Sequence, residues 1–311
     1  MSGFHGLAPA KAAALTRRAT TLSVAAAAVL VAIKAAAWLA SGSTALLASL
    51  ADSGIDLIAS LVTFFAVRYA TAPPDAEHRY GHGKAEAFAS LMQAGLVFAS
   101  AALIGREAVD RLLEPQPLQQ GGWAIAVMAI SIVLTLGLVA AQTRILRQTA
   151  SVAVSGDRAH YFSDLASNLV ALLGIAAAAW FGITWLDPVA ALVVAGFLLW
   201  GAVGIFREAS AQLMDRELPD EARLQILEAA GADPQVIDIH GLRTRASGPF
   251  VHIQLHLDLD PKLSLEAAHE VLIAAEKRIL EIFPAADILI HANPRGRAEP
   301  HPGPFAQADP V

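Results

Sequence analysis

The sequence predicts an α-helical membrane protein of six transmembrane helices that carries a C-terminal cytoplasmic α+β domain. Three observations predict it. Of 311 residues, 55% are hydrophobic and only 16% charged, too apolar for an ordinary soluble domain. Apolar stretches between Ala19 and Phe206 each approach or exceed the roughly 20 residues that cross a bilayer. After Phe206 the pattern changes to a short amphipathic helix and alternating strand segments.

Residues 1–18 read as a short polar cytoplasmic segment ending on Arg17 and Arg18. The run from Ala19 to Ala40 exceeds a signal-peptide core, which spans about 7–15 residues, and is the first span. Five more spans follow at 46–70, 87–112, 123–145, 159–181 and 186–206, so the membrane domain covers 19–208. Lys34, late in the first span, reads as a side chain snorkelling to the outer interface. Lys11, Arg17, Arg18, Arg68, Arg79, Lys84, Arg144, Arg147, Arg158, Arg207 and Arg216 flank one side, and Arg106 and Arg111 the other. The positive-inside rule therefore puts both termini in the cytoplasm of a multi-pass inner (plasma) membrane protein.

Residues 209–293 form the second domain. In LPDEARLQILEAAG, Pro219 opens a helix and Gly231 stops it. VIDIHGLRTRASG and FVHIQLHLDLD alternate as strands do, with turn chemistry in the SGP between them. In the second strand His252, Gln254 and His256 share one face, while Val251, Ile253, Leu255 and Leu257 fill the other. Ser264 caps the next helix, and ADILIHAN is the last strand. The order αββαβ predicts a small sheet with helices on one face. Residues 294–311, rich in Pro and Gly, read as a disordered tail.

Charge and cysteine usage exclude several classes. Residues 1–214 carry 13 basic and 12 acidic groups, residues 215–293 carry 7 and 14. The acidic domain has no basic patch and argues against a nucleic-acid partner. The absence of cysteine excludes disulfides, thiolate metal sites and Cys nucleophiles, and argues against copper(I).

Chemistry enters with two pairs of ionisable residues inside apolar runs. Asp52 and Asp56 lie in the second span, His160 and Asp164 in the fifth, each pair spaced i, i+4 on one helix face. A charged group costs roughly 2.5–3.5 kcal/mol on insertion at a span's centre. Four such groups, all of metal-ligand type, point to a buried cation site. Counting alone sets the pairs at different depths. Helix tilt, or a fifth helix starting near Ser155, would level them. Three carboxylates and one imidazole suit a divalent first-row metal in tetrahedral geometry, with zinc the default. Ligands must be deprotonated to bind metal, so protons compete for the same atoms. His160 is the favoured proton carrier, because an ordinary imidazole titrates at about 6.5.

The paired tetrad on the second and fifth spans, the loop HRYGHGKAEAFA, and the segments LMDRELPDE and HGLRTRASG together resemble the cation diffusion facilitator family, in its bacterial zinc and ferrous-iron efflux branch. The resemblance covers residues 15–293. It implies a homodimeric, proton-coupled antiporter of divalent transition metals (zinc first, then cadmium, ferrous iron or manganese), with a metallochaperone-like αββαβ cytoplasmic domain. It assigns Asp52, Asp56, His160 and Asp164 to the transport site, and Asp75, His78 and His82 to a second site on the loop after the second span. His240, His256, His269 and His291 become ligands of a dimer-bridging regulatory cluster, and Lys84 and Asp215 a charge pair locking the two domains. The family pattern His-x-Asp near the last strand reads His291-Ala292-Asn293 here, which removes a carboxylate that such a cluster would use.

Rivals from other classes stay open on the sequence: a non-transporting metal sensor or scaffold of the same fold, a passive channel, and an intramembrane metalloenzyme. The last would need an open metal position beside a general base, and no HExxH occurs.

Overall fold

The computed structural model describes residues 9–42, 44–113, 122–149, 151–181 and 185–296. Six long helices come first: α1 (Pro9–Ser41), α2 (Thr44–Ala70), α3 (Lys84–Leu113), α4 (Gly122–Thr149), α5 (Val152–Phe181) and α6 (Leu186–Leu213). Among the described residues, α1, α2, α3, α4 and α6 each contain a window long and apolar enough to cross a membrane. α5 occupies the predicted fifth span and concentrates Asp157, Arg158, His160 and Asp164 in its first half.

Two helices start earlier than the hydropathy suggests. The described part of α1 reaches back to Pro9, ten residues before the predicted first span. Its 33 residues span about 50 Å, more than the roughly 30 Å hydrocarbon core. Residues 9–18 therefore continue the helix, and Arg17 donates to Thr71 Oγ1 at 2.9 and 2.6 Å just beyond α2. Residues 1–8 and 297–311, including most of the predicted tail, lie outside the described residues. α5 opens at Val152, earlier than Ser155, with the Ser151 hydroxyl accepting from the Val154 N–H at 3.4 Å. Asp157 and Arg158 lower the local hydropathy without breaking the helix.

α5 packs against α3, α4 and α6, α3 also lies along α6, and α1 packs on α2. Gly156 makes the α5–α3 approach possible: a Cβ there would stand 3.0 Å from Ser90 Oγ and 3.1 Å from the Gln93 Cβ.

The C-terminal domain holds α7 (Asp220–Gly231), β1 (Asp238–Ser247), β2 (Phe250–Leu259), α8 (Leu265–Ile282) and β3 (Ala286–Pro294), the predicted αββαβ order. The sheet runs β1-β2-β3, with β1 antiparallel and β3 parallel to β2. The Ser264 hydroxyl accepts from the Ala267 N–H at 3.1 Å and caps α8. Ile226 of α7 and Val271, Ala275 and Ile279 of α8 bury against Val251, Ile253, Leu255 and Leu257 of β2. The opposite sheet face carries the histidines.

The β1–β2 turn docks on the membrane domain through two glycines. A Cβ on Gly83 would fall 2.0 Å from the Ser247 carbonyl oxygen, and one on Gly248 (φ +57°) 2.7 Å from that of Gly83.

Candidate metal centre

α2 and α5 run antiparallel, so the C-terminal end of one lies level with the N-terminal end of the other. At 1.5 Å per residue, Asp56 stands about 21 Å from the end of α2 at Ala70, and Asp164 about 18 Å from the start of α5 at Val152. The early start of α5 thus levels the two pairs. His160 Nε2 lies 2.9 Å from Asp56 Oδ1 and 3.8 Å from Asp164 Oδ2, and one ligand atom from each of the three falls within 4.8 Å of the others. Asp56 and His160 are buried, and His160 Nδ1 has no hydrogen-bond partner among the described residues. Asp52, one turn before Asp56, is exposed on α2 and stands outside this group of three.

Lys34 does not snorkel. It is buried, and its ammonium donates to Ser53 Oγ at 2.6 Å and to the Ser49 carbonyl at 3.2 Å, both on α2. Ser53 lies next to Asp52 and three residues before Asp56, so a fixed positive charge flanks the acidic face. The snorkelling expectation failed because hydroxyl and carbonyl partners on the neighbouring helix replace interfacial water.

A buried polar knot that the apolar pattern of the sequence conceals lies one turn before His160. Asp157 is fully buried; it accepts from Ser23 Oγ at 2.5 Å, Gln142 Nε2 at 2.8 Å and Gln93 Nε2 at 3.3 Å. Tyr161 Oη sits 2.6 Å from Ser60 Oγ. The signal was present as the spacing Asp157, His160, Asp164 on one α5 face, but the partners come from α1, α3 and α4. Such a knot, satisfied from several helices, fixes the orientation of α5 and hence of His160.

The loop residues also converge. Asp75 Oδ1 accepts from the backbone N–H groups of His78 at 2.6 Å and Glu77 at 2.9 Å, and Oδ2 faces His82 Nε2 at 3.1 Å. The His78 backbone N–H, assisted by that of Glu77, holds the Asp75 carboxyl below the ordinary carboxylate range. His78 Nδ1 lies 3.3 Å from Asp75, and His82 is buried against the Tyr69 ring with its Nδ1 unpartnered among the described residues. The three present ligand atoms within 4.8 Å of one another.

In the C-terminal domain His240, His256 and His291 occupy one cross-strand row, paired His240 with His256 and His256 with His291. Their rings stand 5.1 and 5.0 Å apart. His269 is exposed on α8, which covers the other face of the sheet, so one chain does not bring it to the row. Asn293 reaches the row, its Nδ2 3.2 Å from His240 Nε2 and 3.3 Å from His256 Nδ1.

Lys84 and Asp215 join the two domains. Their side chains meet at 2.9 Å, and Arg245 of β1 reaches the same carboxylate at 3.3 Å. Partial burial raises the affinity of Asp215 for a proton, but Lys84 and Arg245 outweigh it and hold the carboxyl below its ordinary range. Asp215 is the single non-glycine among the described residues with positive φ, +53°, in the left-handed region that Asp tolerates better than most residues.

The same organisation appears in known proteins. Residues 20–214 match the cation efflux transmembrane domain, and residues 218–295 match the cation efflux protein, cytoplasmic domain. The chain is 41% identical over 276 residues to a cation-efflux pump FieF of Shewanella oneidensis, covering 89% of this chain and 93% of that one. It is 42% identical over 284 residues to the cation-efflux pump FieF of Yersinia enterocolitica (91% and 92% covered) and 40% identical over 282 residues to that of Serratia proteamaculans (91% and 94%). With both domains matched in sequence order and the spans present, the chain is an integral membrane protein of the cation efflux, or cation diffusion facilitator, family, whose members are transporters and not enzymes.

Proposed function

We propose that this protein exports divalent transition-metal ions from the cytoplasm in exchange for protons, by alternating access, with zinc the preferred cargo and cadmium, ferrous iron and manganese as alternatives. The carrying observation is the convergence of Asp56, His160 and Asp164 between α2 and α5, about 20 Å from the helix ends that face the C-terminal domain. Two carboxylates and an imidazole replace the hydration shell of a zinc-class ion, and Asp52 closes the set as fourth ligand when α2 turns its exposed carboxylate inward. Protonation of the same atoms dissolves the site, which couples metal release to proton entry. Facing the cytoplasm the site loads metal; facing a more acidic exterior it gains protons and releases it.

The protein works as a homodimer in the inner membrane with both termini cytoplasmic. Asp75, His78 and His82 hold a second ion on the α2–α3 loop. The C-terminal domain senses cytoplasmic metal: an ion held by His240, His256 and His291 of one chain, with His269 of the other, binds the associated pair more tightly than the separated pair. By linkage it shifts the dimer towards one arrangement.

Reconstitution into vesicles tests the transport reading. Zinc flux should follow an imposed pH gradient, and cadmium, ferrous iron and manganese should compete in measurable order. Zinc flux indifferent to a clamped pH gradient removes the antiport step, and absence of flux with metal still bound leaves a sensor or scaffold.

A further inference from the structure

Asn293 leaves the C-terminal domain without the carboxylate expected beside its histidine row, yet carboxylates stand nearby on other strands. Asp238, Asp258 and Asn293 form the next cross-strand row, with Asp258 opposite Asp238 on β1 and opposite Asn293 on β3. The ladder of β1 and β2 shifts between His240 and Arg243, where Gly241 takes φ +61° and a Cβ would stand 3.0 Å from the His256 ring. His240 sits at this shift, with Nδ1 3.7 Å from Asp258 Oδ1. Asp258 is only 9% exposed, and that Oδ1 is buried with no hydrogen-bond partner among the described residues. A buried carboxylate oxygen that faces an imidazole nitrogen and has no donor is suited to a cation.

We propose that Asp238, His240 and Asp258 form a divalent-cation site within a single protomer, with Asn293 orienting His240 instead of ligating. One ligand atom from each of the three lies within 4.8 Å of the other two. An ion with bonds of about 2.0–2.2 Å draws them together by a modest rotation of the exposed Asp238 side chain. The ion binds His240 through Nδ1, the nitrogen that faces Asp258. His240 Nε2 is the nitrogen 3.2 Å from the Asn293 amide. When Nδ1 binds metal, Nε2 carries the proton, and a rotated Asn293 amide accepts it through Oδ1. The site takes a zinc, manganese or ferrous ion, and its remaining coordination positions are open to water. Because every ligand belongs to one chain, occupancy does not need His269 of a partner. The inference rests on the reading that the C-terminal domain binds metal, takes His240 out of the dimer-bridging set and leaves His256 and His291 to it, and is independent of transport.

The test is zinc binding to the full-length protein in nanodiscs by titration calorimetry, in a background carrying Asp164→Asn and His82→Ala to silence the other two centres. Asp258→Asn and Asp238→Asn should each remove one zinc per chain or weaken its binding more than about 10-fold, and His269→Ala should leave that ion in place. Asp238 is exposed, so its variant decides the matter if Asp258→Asn does not fold. Zinc binding unchanged in Asp238→Asn and in a folded Asp258→Asn overturns the proposal, as does loss of the same ion in His269→Ala. If His256→Ala and His291→Ala lose an ion while both Asp variants keep it, the histidine row holds the metal and this site does not. If none of these variants loses an ion, metal binding by the C-terminal domain falls as well.

Discussion

His160 Nε2 on α5 and Asp56 Oδ1 on α2 lie 2.9 Å apart inside the membrane domain, with Asp164 Oδ2 3.8 Å from the same nitrogen. Both contacts use the same imidazole nitrogen. Replacing Asp56 or Asp164 by Ala removes a ligand from a three-residue group, so zinc flux in vesicles should drop more than about 10-fold. His160→Ala should retain weak flux but lose much of its dependence on the pH gradient. Wild-type flux in all three variants would remove the assignment.

Asp52 separates spacing from geometry. It shares an α2 face with Asp56 by the i, i+4 rule, yet is exposed and outside the converged group. If it joins only when α2 turns, Asp52→Asn should lower flux while leaving equilibrium zinc binding to this centre within about 10-fold of wild type. Asp56→Asn should abolish binding at the same centre. Equal losses of binding in the two variants would mean that Asp52 is a permanent ligand.

The membrane helices and the αββαβ order were legible because roughly 20-residue apolar runs and period-2 alternation are local patterns. The start of α5 was not, because Asp157 and Arg158 depress hydropathy while remaining compatible with a helix. The role of Asp157 was not legible because Ser23, Gln93 and Gln142, which satisfy it, lie on three other helices. The Asp238–Asp258 relation depends on the β1–β2 register and on the shift after His240, neither of which alternation fixes. The burial of Lys34 was hidden for the same reason: Ser49 and Ser53, its partners, sit on another helix.

Lys34 gives a stability prediction. Its ammonium makes two hydrogen bonds to α2, and bonds to charged groups contribute about 1.5–3 kcal/mol each. Lys34→Met removes both while keeping the apolar stem's volume, and should lower the melting temperature of the detergent-solubilised protein by several degrees. It should also alter zinc affinity at the group of Asp56, His160 and Asp164, because a positive charge beside Asp52 and Asp56 disappears. A variant that melts and binds like wild type would reduce Lys34 to a bystander.

Lys84 and Asp215 predict a rescue. The pair is more than a third exposed on each side, so its isolated contribution is about 0–1 kcal/mol. Its effect should appear as domain coupling more than as stability. Lys84→Asp should weaken the link between α3 and the end of α6, and adding Asp215→Lys should restore part of it. Limited proteolysis between the domains reads the outcome, and a double variant as sensitive as the single one would deny the pair a locking role. Asp215 binds protons less readily folded than unfolded. Its contribution is therefore present above the ordinary Asp value of 3.8 and fades as pH falls through the lower folded value.

His252 carries the pH dependence that falls nearer neutrality. It lies on the histidine face of β2, 7% exposed, with its ring 5.7 Å from that of Tyr80 on the α2–α3 loop. Burial pushes its pKa below the ordinary 6.5, and the Asp287 carboxylate, 3.2 Å from Nδ1, only partly offsets this. The unfolded chain therefore binds this proton more readily than the folded one. Stability from His252 is full above about pH 6.5 and declines as pH drops from there towards the folded value. Acidification should loosen the sheet from the loop that carries Asp75, His78 and His82. His252→Gln keeps a hydrogen bond to Asp287 without a titrating ring, so its melting temperature should fall less between pH 7 and pH 5 than that of wild type. Parallel declines in the two proteins would show that His252 takes no part in the acid response.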